Sequence, residues 1–339
     1  MTSNPTILTM SSHSSLYNLI PGALEEGVDV YAVCVDRDWA LWAQYPKLLE
    51  KINVSRVKNP KAIAEIVQAF NSIEKDAVIV PHGSFVRYLS PEALKKLEHP
   101  IFGGVKILDY EGDRDKNVGL LAAAGIRTPK VFETMEEVDR PVIVKLHGAE
   151  GGKGYFLAFD KEELNTKSKD KVVDFIQEYI CGVSIYAHFF SSPLKNRVEL
   201  LGFDRRLESN ANSQYLPPSE SPSFTVVGNV PIIIRESLVP QYIQMGEQFV
   251  RQTGLVGPFC IETVCTSEPK IYAFEFSGRI VAGTTVWVPH GNTYSNLLWG
   301  ESMYMGKRIA REIKKAFRTN QLDKITVDSP KLPPSQSSK

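Results

Sequence analysis

The sequence lacks an excess of charge of either sign, since Lys plus Arg and Asp plus Glu each number 39 in 339 residues. Without a basic overall field a chain does not draw nucleic acid or anionic lipid to itself, and any anion it binds must be held locally. It has no apolar run approaching the roughly 20 residues that a membrane-spanning helix needs, and it does not open with the basic-then-apolar pattern of a secretory signal. These absences predict a cytoplasmic protein with neither a nucleic-acid nor a membrane partner. Cysteine is scarce: Cys34, Cys181, Cys260 and Cys265 form no CxxC pair. Three of them sit in apolar runs, where the thiol behaves as a small hydrophobe, so no zinc site is expected. A Walker phosphate loop is lacking too. His147 stands where that motif needs a glycine, Gly154 follows Lys153 where it needs Ser or Thr, and a strand rather than a helix comes next.

What is present is a hydrophobic content of 43%, enough for two or three packed units in a chain of this length. Short apolar runs at 7–10, 29–34 and 77–80 alternate with helical patterns at 16–27 and 60–73. That alternation predicts a parallel sheet with crossover helices. Two of the runs end in similar turns, "SSHSS" at 11–15 and "PHGS" at 81–84. A helix start offers exposed amides and a positive dipole end, and in open parallel sheets ligands gather beyond the carboxyl ends of the strands. The two turns therefore read as anion sites or, more plainly, as serine-rich helix caps. The segment 36–51 reads as one amphipathic helix, and 112–124 as another that stops at Gly125 and Pro129. His188, inside "IYAHFF", reads as a core or cleft residue.

Further on, "RPVIVKLHGAEGGKGYFLAF" sets apolar strands on either side of a glycine-rich tip. Such a hairpin can fold over phosphates, with its amides, Lys145 and Lys153 supplying positive charge. The stretch "GPFCIETVCTSEPKIYAFEFSGR" reads as a second hairpin, with strands at 258–265 and 271–277. The midpoint between Glu262 and Glu275 falls inside its turn, so a symmetric pairing sets the two carboxylates opposite each other. Their Cβ atoms would then be about 5 Å apart. Two charges at that distance repel by roughly 3 kcal/mol at an effective dielectric near 20. A magnesium ion shared with substrate phosphates would offset this; a slipped register or a protonated glutamate are the alternatives. Arg279 follows on the same face and is a candidate for steadying a transferring phosphoryl group.

The order of these parts resembles the ATP-grasp fold. The fold class expected is therefore α/β and α+β, with a Rossmann-like pre-ATP-grasp domain at 1–100 and an ATP-grasp domain at 101–325. Residues 130–190 would form the lid subdomain, and 326–339, rich in Pro and Ser, a disordered tail. More narrowly, "SSHSSL", "PHGSF", "FDRRLES", "VVGNVPIIIRESL", "GPFCIE" and "RIAREIK" resemble the archaeal PurP family, ligases of purine synthesis that use ATP and formate to formylate aminoimidazole carboxamide ribotide. The resemblance implies that His13, Ser84 and Asn229 bind the ribotide. It implies that Lys145, Gly151, Gly152, Lys153, Glu178, Tyr179, Ile180 and Glu208 contact ATP, and that Glu262 and Glu275 hold Mg²⁺ or Mn²⁺. Arg279 and Lys153 become the catalytic candidates, and a homo-oligomer is implied. Thr285 and a short 208–228 segment depart from the family pattern on the acceptor side. A ligase for another ribotide or carboxylate, or a nucleotide-binding sensor, are the alternative readings.

Overall fold

The structure, a computed structural model, describes residues 5–10, 16–58, 62–73, 76–150, 153–208, 226–326 and 328, and the side chains of all these except 37, 91, 148–150 and 153. His13, Gly151, Gly152, the side chain of Lys153 and nearly all of the expected tail lie outside what is described.

Strands β1 (Thr6–Met10), β2 (Asp29–Val35), β3 (Asn53–Val57) and β4 (Ala77–Ile79) form a parallel sheet in the order β3-β2-β1-β4. β1 is buried along its whole length, as an apolar parallel strand covered on both faces should be. Leu8 and Met10 pack with Phe70 and Phe85 on one side, while Ile7 packs with Leu19, Ile20 and Ile309 on the other. The expected crossover helices are Leu16–Glu25 and Ile63–Asn71. The expected single helix at 36–51 is instead two, Asp36–Trp42 and Pro46–Leu49. Proline excludes the helical conformation from the residue before it, and Tyr45 accordingly adopts φ −119° and ψ 59°. The helix expected at 112–124 is Arg114–Ala123, capped by the Asp113 side chain, and a further helix, Lys106–Gly112, precedes it.

Strands β5 (Val131–Phe132), β6 (Val142–Glu150), β7 (Lys153–Ala158) and β8 (Val173–Glu178) form an antiparallel sheet, β5-β8-β6-β7, with its own small core around Val142, Val144, Phe156 and Ile176. A third sheet, also antiparallel, contains β9 (Val183–Ser192), β10 (Arg197–Glu208), β11 (Val226–Ile232), β12 (Gly257–Cys265) and β13 (Ile271–Ser277) in the order β11-β10-β9-β12-β13. One face packs Phe189, Phe259 and Phe276 against Tyr242 and Phe249 of the helix Val239–Thr253. The other face carries Tyr186, Arg206 and Glu262, and a cleft separates it from the second sheet.

The helix Met305–Arg318 returns to the parallel sheet and crosses the helix Leu16–Glu25 at two glycines. A Cβ on Gly22 would stand 2.1 Å from the Lys307 amide nitrogen, and one on Gly306 would stand 2.0 Å from the Asn18 carbonyl oxygen. The Asn18 side chain locks the crossing by accepting from the Gly306 N–H at 2.5 Å and donating to the Thr284 carbonyl at 2.7 Å. Beside it the fully buried Arg308 is held by Glu199 and Glu312 at 2.7 and 2.8 Å.

Candidate active site

The cleft between the second and third sheets has a volume of about 530 Å³, inside the range typical of small-molecule sites. Its roof is Ile143, Lys145, Tyr155 and Phe175; its floor is Tyr186, Arg206, Glu262 and Glu275. Glu262 and Glu275 are direct partners across β12 and β13, as the hairpin reading expects. The register is not the simple one. Near the turn Cys265 pairs with Ile271 and Thr263 with Ala273, and a shift between Thr263 and Glu262 leaves Phe274 as an extra residue on β13. A bulge of this kind re-aims the side chains after it, and Phe274 and Glu275 both line the cleft. Two amide bonds steady the edge strand: the Asn117 side chain donates to the Phe276 carbonyl and accepts from its N–H, each at 2.9 Å.

The carboxylate pair is partly compensated by the protein itself. Arg206 donates from Nη2 to Glu262 Oε1 at 2.5 Å and lies over the Tyr186 ring at 4.2 Å. Burial, opposed by Arg206 and reinforced by Glu275, pushes the Glu262 carboxyl up to about 7. Burial would also lower Arg206, but the charge of Glu262 holds its guanidinium above the usual range. The second oxygen of Glu262 is buried and has no hydrogen-bond partner among the described residues. Across the cleft, burial lowers Lys145, whose ammonium rests against the Tyr155 and Phe175 rings at 5.6 and 5.2 Å. Burial, then Glu275, pushes the Tyr155 phenol up to about 12.

Among the described residues no group of three or more His, Cys, Asp and Glu side chains converges to hold a metal ion. A cation on Glu262 and Glu275 would take the rest of its shell from water or ligand oxygens, and a hard, all-oxygen donor set with an unfilled carboxylate oxygen suits magnesium.

Tyr179, Ile180 and Glu208 line the cleft with Glu178. The Glu178 carboxylate, however, is already taken by the Lys130 amide and Arg140, both at 3.1 Å. Arg279 is not among the residues lining the cleft; it pairs with the buried Glu111, Nη2 to Oε1 at 2.6 Å, and Glu111 does line the cleft. Burial raises the Glu111 carboxyl, against the pull of Arg279. Beyond the end of β4, Ser84 is buried in the first turn of the helix Gly83–Tyr88. His82 there is structural. Its Nδ1 accepts from the Ser84 N–H at 3.3 Å, which caps the next helix and leaves Nε2–H to donate to the Met10 carbonyl at 2.7 Å. A bridge from His82 to Ile280 brings this turn beside Arg279 and the end of β13. Asn229 lies on β11 and donates to Asp204 at 2.7 Å. His188 is a core residue, bonded through Nε2 to the same Asp204.

Arg206, Glu111 and Tyr155 had not been singled out from the sequence. For Arg206 a signal was there: Asp204, Arg206 and Glu208 alternate along "FDRRLE" and so share one face of a strand. Glu111 has none, because its partner lies 168 positions away.

Residues 7–132 match the family model DUF1246, described as a protein of unknown function, and residues 159–327 match DUF1297, described as a domain of unknown function. A protein of Ignicoccus hospitalis called 5-formaminoimidazole-4-carboxamide-1-(beta)-D-ribofuranosyl 5'-monophosphate synthetase is 41% identical over 338 residues, covering 94% of this chain and 95% of the relative. One of the same name from Sulfurisphaera tokodaii is 40% identical over 94% of this chain and 99% of its own length. The crystal structure of the IMP biosynthesis protein PurP from Thermococcus kodakaraensis superposes with a TM-score of 0.75, at 28% identity, over 95% of this chain and all of that one. An ADP complex of PurK, N5-carboxyaminoimidazole ribonucleotide synthetase, superposes at 0.68 with 14% identity over 90% of this chain and 80% of that one, a likeness of fold alone. Identity near two-fifths along almost the whole length, on an ATP-grasp frame with opposed glutamates in its cleft, leaves one assignment: the chain belongs to the PurP family.

Proposed function

We propose that this chain is an ATP-dependent ligase that joins formate to the 5-amine of aminoimidazole carboxamide ribotide, forming the formamido ribotide of purine (IMP) biosynthesis. The observation that carries the reading is the opposition of Glu262 and Glu275 beneath Lys145 in one cleft. The name of the relatives, a formamidoimidazole ribotide synthetase, supports the choice of product.

In this reading ATP occupies the cleft, with its base at Tyr179 and Ile180 and its phosphates between Lys145 and the two glutamates. Mg²⁺, or Mn²⁺, would be held by Glu262 and Glu275 and would neutralise the phosphate charge. Formate attacks the γ-phosphorus to give formyl phosphate and ADP; the amine then attacks the acyl carbon and inorganic phosphate leaves. Arg206 keeps Glu262 aligned, Arg279 with Glu111 closes the phosphate end, and the β6–β7 hairpin with Gly151, Gly152 and Lys153 excludes water from the acyl phosphate. His13, Ser84 and Asn229 take the ribotide. The protein is cytoplasmic in this reading and a homo-oligomer; exposed apolar side chains such as Ile233 and Leu297 support self-association.

The test is incubation with ATP, magnesium, formate and the ribotide, followed by chromatography for ADP and the formylated product. Both should appear together, and only with all four components. ADP released only with a different carboxylate or amine would change the substrate, and no ADP with any acceptor would favour a sensor. Glu275→Gln should lower turnover about a hundredfold or more with an unchanged circular dichroism spectrum.

A further inference from the structure

Arg114 and Asp174 both line the cleft, and the reaction as described gives neither a task. Arg114 is the first residue of the helix Arg114–Ala123. The amides at that end of a helix already present a positive potential, which favours an anion and disfavours a cation. A second cation stands near: the charge of Arg114 adds to the lowering that burial imposes on Lys145, and the Tyr155 phenol feels it too. A guanidinium in so positive a place calls for a negative partner. Asp174 supplies it, its Oδ2 accepting from Arg114 Nη1.

The pair joins two bodies that are packed separately. Leu120 and Leu121 of the Arg114 helix belong to the large core with Phe249 and Phe276, whereas β8, which carries Asp174, sends Ile176 into the small core of the second sheet. The bond therefore ties the sheet above the cleft to the body below it. It is a bond that can be broken. The two side chains are 28% and 36% exposed, and an ion pair so open to water is held weakly. The position also sets Asp174 among like charges: burial raises the Asp115 carboxyl, and the charges of Asp113 and Asp174 raise it further. Without Arg114, repulsion would push Asp174 and its sheet away. A new partner waits on that sheet, since His147 of β6 stands with Nδ1 3.8 Å from the other Asp174 oxygen.

We propose that Asp174 is an internal substitute for a nucleotide phosphate, an autoinhibitory strap that engages Arg114 and draws the second sheet down over the cleft until a nucleotide takes Arg114 from it. A polyphosphate carries several charges where Asp174 carries one, and it can meet Arg114, Lys145 and the helix end together. Once displaced, Asp174 turns to His147 and moves with its own sheet. After the reaction it competes for Arg114 again, which weakens the hold on the product nucleotide. The strap thus lowers nucleotide affinity in exchange for release. The inference rests on the reading of the cleft as the ATP site.

The test titrates the full chain with ADP and magnesium in a calorimeter, as wild type, Asp174→Asn, Arg114→Gln and the double variant. Asp174→Asn should bind ADP about two- to fivefold more tightly, the worth of a partly exposed ion pair. Arg114→Gln should bind it about tenfold more weakly, the loss of one charge-assisted bond. In the Arg114→Gln background the gain from Asp174→Asn should be lost, because no guanidinium is left to compete for. Hydrogen exchange gives the second readout: without nucleotide, the amides of β6 and β8 should exchange faster in Asp174→Asn than in wild type, and with ADP bound the two should match. ADP binding unchanged or weakened by Asp174→Asn would overturn the proposal, the latter marking a carboxylate that orients Arg114 toward phosphate. So would an equal gain in both backgrounds, which would mark plain repulsion of the phosphates, or exchange rates that Asp174→Asn leaves as they were. Wild-type protein that bound no ADP would instead remove the nucleotide reading, and with it the competitor that the strap requires.

Discussion

Glu262 faces Glu275 across the β12–β13 hairpin through a one-residue bulge at Phe274. Counted from the turn, the undisturbed register would set Glu262 against Phe274 and turn Glu275 into the core with Ile271 and Ala273. The extra residue reverses the phase, so Phe276 takes the core position and Glu275 the cleft. Arg206 then bonds Glu262, and the placement of the carboxylate pair depends on three strands rather than on one hairpin.

Arg206 is expected to matter through Glu262. Arg206→Leu should lower formate-dependent ADP release by about 10- to 100-fold, the usual penalty for losing a group that orients a ligand residue. Arg206→Lys should not restore it, since an ammonium cannot reproduce the guanidinium's planar contact with both Glu262 and the Tyr186 ring. Steady-state kinetics with a circular dichroism control checks both.

Lys145 should trade stability against binding. Its ammonium is buried against two aromatic rings and makes no ion pair among the described residues. Lys145→Met keeps the shape and removes a poorly solvated charge. The thermal midpoint should therefore hold or rise, while ATP affinity in a calorimetric titration falls about tenfold or more.

The Arg308 network sets an acid limit. Burial raises the Glu199 carboxyl, but its bonds to Arg308 and Arg197 outweigh this and hold it below its usual 4.5. A carboxylate lowered by folding stabilises the protein in full above that usual value, and the contribution is lost progressively as pH falls from there through the lowered folded value. Wild-type stability in urea should drop below about pH 4.5 from this source. Arg308→Met leaves buried Glu312 with only the Ser192 hydroxyl and Glu199 with only Arg197 and the Trp299 N–H, which should cost about 3–5 kcal/mol at pH 7. Protonation relieves those stranded charges, so the gap from wild type should narrow on acidification.

The glycine crossing should tolerate no side chain. Gly306→Val would drive a methyl-bearing carbon into the Asn18 carbonyl, a backbone group that cannot step aside. The loss should exceed the roughly 1–3 kcal/mol usual for overpacking, read as a lower urea midpoint with an unchanged slope.

The parallel sheet was legible because β1, β2 and β4 are apolar runs divided by amphipathic helices, a pattern that burial on both faces imposes on sequence. The two glutamates were legible because a hairpin is local, although the symmetric reading reached the correct pair without the bulge that creates it. The face of Arg206 was written in the alternation of its strand, but its bond to Glu262 and the Glu111–Arg279 pair were not legible, since these partners meet only after separate elements fold together. The break at Tyr45 was written in the proline that follows it and was outweighed by the aromatic periodicity on either side.

The locked crossing of the helices Leu16–Glu25 and Met305–Arg318 has a consequence for biosynthesis. Asn18 and Gly306 are bonded across 288 positions. At ordinary ribosomal speeds of about 5–20 residues per second, the outer cover of the first sheet emerges some tens of seconds after the sheet itself. Until then Ile7, Leu19 and Ile20 have no Ile309 to rest on. A nascent chain stalled before residue 305 should accordingly be a client for chaperones.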